Sequence, residues 1–231
     1  MDMRSANFPD AHPIISLANL SVGYQKKTVA RVPSLQVERG QSLLLTGASG
    51  SGKSTLLFTI GGLLKPLAGN VVFDGHDFSQ LSTGKIGRLR GERIGFIFQD
   101  VHLLAGLSVL DNVVLGAFAV GKRQERDRAV ELLQIVGLQD LQHRKAETLS
   151  RGEAQRVAIA RAMLLQPKLI LADEPTASLD DQNTEIVGTL LVEAAKHTDA
   201  ALLIATHDQR LKLRFVDHLE LSNNPIAGST Q

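Results

Sequence analysis

The chain of 231 residues contains no cysteine, no tryptophan and a single tyrosine, Tyr24. Without cysteine there is no disulfide framework, which fits a reducing compartment. An excess of either charge is also missing. The 25 basic and 24 acidic residues leave a formal net charge of +1, so bulk charge points neither to nucleic acid nor to a polyanionic substrate. No window approaches the roughly 18 uninterrupted apolar residues of a membrane span. The longest candidate, 103–120, is broken by Asp111, Asn112 and glycine. Anything the chain does at a membrane therefore goes through a partner. Its first residues, MDMRSANFPDAHP, are polar, are interrupted by Pro9 and Pro13, and lack the apolar core of a signal peptide. We expect a flexible leader over 1–13 and a flexible tail over 223–231. A composition that is 43% hydrophobic can bury the core of one domain, with or without a subdomain.

What is present is a cluster of glycines in one place. Gly47 to Thr55 reads GASGSGKST, directly after the apolar run Leu43-Leu44-Leu45-Thr46 and directly before Leu56-Leu57-Phe58-Thr59-Ile60. An apolar strand, a glycine-rich turn and a helix opening on Lys-Ser form the context in which G-x-x-x-x-G-K-[ST] marks a phosphate-binding loop. A nucleotide tail crowds several negative charges together and needs many donors at close range. Gly47, Gly50 and Gly52 let the backbone curl so that the N–H groups of Ala48, Ser49, Ser51 and their neighbours can face an anion, and the helix start adds its positive dipole end. Lys53 supplies a point charge for the β- and γ-phosphates, Ser54 a hydroxyl for a magnesium ion, and Thr55 a hydroxyl near the α-phosphate. A dinucleotide fingerprint is set aside, because G-x-G-x-x-G would need glycine where Thr55 stands.

Along the chain, 14–22 and 34–38 read as extended, with 23–27 a turn between them and 41–46 the buried strand feeding the loop. The helix after Lys53 stops at Gly61-Gly62. Val71 to Phe73 is a strand entering a tight Asp74-Gly75 turn, and 93–99 is another strand, in which Phe96 and Phe98 are expected in the core. From about 100 to 165 the pattern turns helical. Ser108 is the expected N-cap of a helix through Val113 and Val114, and Ala129, Leu132, Leu133 and Val136 recur at helical spacing before Gly137. A helix after Ser150 is expected to run to Pro167, followed by a strand over 168–173, a one-faced helix through Val187, Leu190, Leu191 and Ala194, and a strand over 201–206. Alternating strands and helices argue for an α/β fold with a mainly parallel sheet and a helical subdomain inserted at about 100–165.

The strand Leu169-Ile170-Leu171-Ala172 ends in Asp173-Glu174. In a parallel sheet the strand C-terminal ends gather at one edge, so Asp173 can arrive beside the phosphate loop and hold magnesium, directly or through water. Glu174 can then orient or deprotonate a water aimed at the γ-phosphate. Two acids after a strand are often only a solvated turn. Beside a complete phosphate loop they read as catalytic.

Taken together, these motifs resemble the ATP-binding subunit of ATP-binding cassette (ABC) transporters over nearly the whole chain. Leu149-Ser150-Arg151-Gly152-Glu153 resembles the family's signature, usually LSGGQ. Gln99 resembles its Q-loop glutamine, Ser178-Leu179-Asp180 its D-loop and His207 its switch histidine, and Tyr24 stands where the family stacks an aromatic on adenine. The resemblance implies a P-loop NTPase core, an N-terminal antiparallel β-subdomain and an inserted helical subdomain, together one ABC ATPase domain over 14–222. It implies ATP and Mg2+ as cofactors, catalytic roles for Lys53, Gln99, Glu174 and His207, metal contacts from Ser54, Gln99 and Asp173, and nucleotide contacts from Ser150, Gly152 and Glu153. It also implies a head-to-tail dimer of two copies with ATP in the interface, permease subunits as the route to the membrane, no nucleic-acid partner, and a peripheral place on the cytoplasmic face of the inner membrane.

Two residues depart from the family pattern: Arg151 replaces the first signature glycine, and Glu153 the usual glutamine. The phrases IGGLLKP, LRGERIGFIFQDVHLL and LSVLDNV resemble the lipoprotein-releasing and macrolide-efflux (LolD/MacB-type) branch, whose ATPases drive a permease with a large periplasmic domain. An importer ATPase for a small solute and a non-transport ATPase acting on envelope enzymes through a membrane partner remain as alternatives. The histidines at 76, 102, 143, 197 and 218 show no metal-ligand spacing, and Lys26-Lys27 and Lys122-Arg123 read as solvated pairs.

Overall fold

The computed structural model describes residues 12–122 and 125–221, so nearly all of the expected leader and the whole of the expected tail lie outside the described residues. In chain order the elements are β1 (Ile15–Tyr24), β2 (Lys27–Val37), β3 (Ser42–Thr46), α1 (Lys53–Ile60), β4 (Ala68–Phe73), β5 (His76–Asp77), α2 (Thr83–Arg93), β6 (Ile94–Ile97), α3 (Val109–Ala119), α4 (Arg126–Ile135), α5 (Arg151–Met163), β7 (Leu169–Asp173), α6 (Asp181–Thr198), β8 (Ala201–Ala205), α7 (Gln209–Lys212) and β9 (Asp217–Glu220).

A five-stranded sheet in the order β6-β7-β8-β3-β9 is parallel in every pairing. Its inner strands are covered on both faces, which is why they read as unbroken apolar runs. Leu169 and Leu171 pack to one side with Leu43, Leu45 and α1, while Ile170 and Ala172 pack to the other with Leu44 and the helical layer. Side-chain alternation along a strand thus joins two cores through one sheet. The register sets Asp173 beside Ala205 and Ala205 beside Leu45, so the loops after β7, β8 and β3 leave the same edge as neighbours.

The second sheet is four-stranded and antiparallel, β2-β1-β4-β5. The hairpin between β1 and β2 turns on Gln25 and Lys26 alone, both with positive φ, and β2 is much longer than the stretch expected at 34–38. Pro33 is tolerated inside it because β2 is an edge strand. Asp74 and Gly75 have φ of 49° and 76°, the geometry of a tight hairpin turn. Asp74 then receives Lys168 at 2.8 Å and also pairs with Arg93, tying this hairpin to the start of the parallel sheet. Burial acts to raise the Asp74 carboxyl, but its two cationic partners hold it below its usual value.

The helices α3, α4 and α5 pack together, and α5 also rests on β6 and α6, so their apolar core is continuous with one face of the parallel sheet. Ser108 caps α3 through the Asp111 N–H at 3.1 Å. Several sequence boundaries shift, among them Arg93, which ends α2 rather than opening β6, the end of β6 at Ile97 rather than 99, the end of α5 at Met163 short of Pro167, and the end of β8 at Ala205. Phe96 is half-buried and packs against the core on the α1 side of the sheet, as expected, whereas Phe98 is half-buried outside that core, with the two rings stacked at 5.3 Å and 4°. β6 is the edge strand of its sheet, and Phe98 lies beyond its end. Among the described residues no helix is long and apolar enough to cross a membrane.

Candidate functional site

The loop from β3 to α1 is held open by glycine. Gly47, Gly50 and Gly52 have φ of 142°, 77° and 94°, a region closed to most side chains. A Cβ on Gly52 would also come within 2.9 Å of Ala30 on β2. Lys53 follows as the first residue of α1 and is 6% exposed. Its Nζ donates to the carbonyls of Gly47 and Ala48 at 3.0 and 3.1 Å, and lies 4.0 Å from Oε1 of Glu174. Ser54 Oγ donates to Asp173 Oδ1 at 2.7 Å, joining the helix start to the end of β7. Burial pushes the Asp173 carboxyl above its ordinary value; the Ser54 hydrogen bond opposes this, and the Glu174 carboxylate adds to the rise.

Glu174 is fixed from several directions. Its backbone is left-handed, with φ of 45°, and its N–H donates to Ala205 O at 2.7 Å. Its carboxylate accepts from Thr206 Oγ1 at 3.0 Å and from the His207 N–H at 3.3 Å, and it lies 2.8 Å from His207 Nδ1. Thr206 Oγ1 in turn accepts from Asp208 N–H at 3.0 Å, and the Asp208 carboxylate accepts from Thr176 Oγ1 at 2.8 Å and from Arg210. The loops after β7 and β8 are thereby one polar network. Thr176, Thr206, Asp208 and Arg210 were not singled out from sequence. The polar triplet Thr206-His207-Asp208 at the end of an apolar strand is the signal that could have found part of them.

A cavity of about 340 Å³ lies over this edge, with Ser49, Lys53 and Thr55 on one side and Gln99, Glu174 and His207 on the other. Val29 of β2 also lines it, and no pattern in the sequence marks that residue. Tyr24, on the same hairpin, is 50% exposed and is not part of the lining. The structure therefore brings Lys53, Ser54, Gln99, Glu174 and His207 to one cavity and sets Asp173 against Ser54.

The other expected residues sit elsewhere, at the start of α5. Ser150 and Glu153 form a reciprocal capping box: Ser150 N–H donates to Glu153 Oε2 at 2.7 Å, and Glu153 N–H to Ser150 Oγ at 3.3 Å. The Ser150 N–H holds the Glu153 carboxyl below its ordinary value, so capping accounts for Glu153 without a ligand. Gly152 is required by its neighbour, since a Cβ would run into the Asn183 side chain at the start of α6.

Chemically, the edge offers an anion nest, a buried ammonium, a hydroxyl paired with a carboxylate, and a second carboxylate aimed by His207 and Thr206. Ser54 and Asp173 are hard oxygen donors beside the nest, a donor set that fits magnesium.

The profile of the ABC transporter family matches residues 30–177. The chain is 43% identical to the lipoprotein-releasing system ATP-binding protein LolD of Saccharophagus degradans, over 85% of this chain and 89% of that protein. It is 37% identical to the protein of the same name from Buchnera aphidicola subsp. Schizaphis graminum, over 92% and 96%. Among solved structures it resembles the bacterial ABC transporter cassette MJ0796. Both its dimeric structure and its dimeric post-hydrolysis state bound to ADP and Pi give a TM-score of 0.81 and 32% identity over 90% of this chain and 94% of that one.

Proposed function

Because the chain belongs to the ABC transporter family, as an ATP-binding ATPase of its LolD-like branch, we propose that it powers release of lipoproteins through a membrane permease. The observation that carries the chemistry is the Glu174 carboxylate, held at the wall of a cavity that also contains Lys53. Lys53 and the loop N–H groups bind and orient the phosphates. His207 and Thr206 keep Glu174 turned toward the space where the terminal phosphoryl group would sit. Glu174 takes a proton from the attacking water. Ser54, Asp173 and Gln99 would hold a magnesium ion, which when bound supplies charge neutralisation of the phosphate oxygens.

We infer a working unit of two copies arranged head to tail. Ser150, Gly152 and the opening turn of α5 lie outside the cavity that holds Lys53, so they are available to close over nucleotide bound by a second copy. The permease, with a large periplasmic domain, would hold the chain peripherally at the cytoplasmic face of the inner membrane.

The test is to purify affinity-tagged Glu174→Gln from its native membrane with ATP present and identify what accompanies it. A permease with a large periplasmic domain supports lipoprotein release. A many-span solute permease overturns that assignment in favour of a small-solute transporter and leaves the ATPase chemistry standing.

A further inference from the structure

The polar network behind Glu174 has an outer end that the chemistry at the cavity does not use. Thr206 Oγ1 donates to Glu174 Oε2 at 3.0 Å and accepts from the Asp208 N–H at 3.0 Å, while Thr176 Oγ1 donates to the Asp208 carboxylate; both threonines are buried. The Asp208 side chain is only 10% exposed, and Arg210 grips it on both oxygens: Nε donates to Oδ1 at 2.9 Å and Nη2 to Oδ2 at 2.7 Å. The remaining Nη1 reaches Asp181, the first residue of α6. One planar guanidinium thus joins the loop after β8 to the helix that follows β7. A second rung lies four residues on along both segments, where Arg214 pairs with Glu185 and donates to Thr189 Oγ1 at 3.0 Å. Gly188 lets the segments come this close, since a Cβ there would lie 2.9 Å from Leu211 of α7. Of the two arginines, Arg210 is the one that touches Asp208.

We propose that Arg210 is a positioning residue for hydrolysis, holding Asp208 so that Thr206 keeps the Glu174 carboxylate aimed into the cavity. The proposal rests on the ATPase reading, in which Glu174 takes a proton from the attacking water. The physical link is the single proton of the Thr206 hydroxyl. While Thr206 Oγ1 accepts from the Asp208 N–H, that proton is directed to Glu174. When Asp208 shifts, the hydroxyl is free to turn, and a base displaced by a fraction of an ångström from its water loses much of its effect. The contact with Asp181 contributes little by itself, because that side chain is 94% exposed. The fork on the nearly buried Asp208 carboxylate carries the effect. Neither arginine lines the cavity that holds the phosphate loop, so ATP binding is left alone.

The test compares kcat and KM for ATP in the full chain and in Arg210→Gln, Arg210→Lys and Arg214→Gln, each with its melting temperature, and repeats Arg210→Gln in the Glu174→Gln background. Arg210→Gln is expected to lower kcat about tenfold, as loss of a charge-assisted pair of hydrogen bonds predicts, with KM unchanged. Arg210→Lys keeps the charge without the fork and recovers part of the loss. Arg214→Gln cuts the neighbouring ion pair between the same two segments and leaves kcat at the parent value. In the Glu174→Gln background Arg210→Gln costs nothing further, because the group it positions is gone. If Arg210→Gln melts below the assay temperature, Arg210→Lys decides, with a loss of about threefold in kcat expected and an unchanged kcat against the proposal. An unchanged kcat in Arg210→Gln overturns the proposal, and so do equal losses in Arg210→Gln and Arg214→Gln, which would show a merely structural role. If Glu174→Gln is slow and Arg210→Gln still costs tenfold in that background, the role of Arg210 falls and Glu174 remains the base. If Glu174→Gln hydrolyses ATP at the parent rate, the general-base reading falls and takes the proposal with it.

Discussion

His207 Nδ1 lies 2.8 Å from Glu174 Oε1, across the gap between the ends of two adjacent parallel strands. With Thr206 on the other carboxylate oxygen, the carboxylate proposed as general base is held on both sides. Replacing Glu174 with glutamine keeps the size of the side chain and removes its basicity. We expect Glu174→Gln to bind ATP normally while hydrolysis slows by about 10²–10⁴, the contribution of a positioned general base. Phosphate release measured beside nucleotide binding checks this, and hydrolysis near the parent rate would remove Glu174 from the role.

Lys53 is buried at the opening of α1 and donates to the carbonyls of its own loop. A polyphosphate seated there would face the loop with no other lysine or arginine in the cavity lining. Lys53→Ala is expected to abolish productive ATP binding, and titration calorimetry reads it directly. Normal affinity would contradict the phosphate-loop assignment.

The sequence makes the site legible where chemistry and chain order coincide. Gly47 to Thr55 is contiguous, and Asp173 ends a run of apolar residues, so both can be found without a fold. The network from Glu174 through Thr206 and Asp208 to Thr176 is different, because its members meet only once β7 and β8 are neighbours. Helix α2 escapes notice for another reason: it is polar, carries three glycines, and buries only Leu89 among its residues, so it has no apolar stripe to read. Phe98 misleads because alternation along a strand gives a face but not where the strand stops, and β6 ends at Ile97. The capping box at Ser150 could have been read from S-x-x-E alone, and it would have given Glu153 a local partner from the start.

Tyr24 ends β1 half-exposed, outside the cavity lining but on the hairpin whose Val29 reaches it. An exposed ring can stack on a base without being buried beforehand. Tyr24→Ala is expected to weaken ATP and ADP alike by about 1–3 kcal/mol, the range for base–aromatic stacking. Since the chain has one tyrosine and no tryptophan, its intrinsic fluorescence reports on this ring alone. An unchanged emission on saturation with ADP, together with unaltered affinity in the variant, would exclude the stacking role.

Asp208 links the loop after β8 to Thr176 and pairs with Arg210, and its environment makes an acid-sensitive contribution to stability. The Arg210 guanidinium, helped by Thr176, holds the Asp208 carboxyl down at about 2 against an ordinary value of 3.8. A folded-state value below the unfolded one means that the charged form stabilises the fold. That contribution is complete above about pH 4, where the unfolded group is also ionised, and it fades as pH falls toward 2. Asp208→Asn removes the ionisation and keeps an oxygen that can accept from Thr176. Denaturation midpoints measured between pH 2 and 5 should therefore fall less steeply in Asp208→Asn than in the parent, and the variant should be the less stable of the two at neutral pH. Parallel pH profiles would show that Arg210, which is itself partly exposed, is too well solvated for the pair to matter. The same substitution weakens the Arg210 pairing that steadies the loop carrying Thr206, so hydrolysis should drop as well, through a less firmly aimed Glu174 rather than through weaker ATP binding.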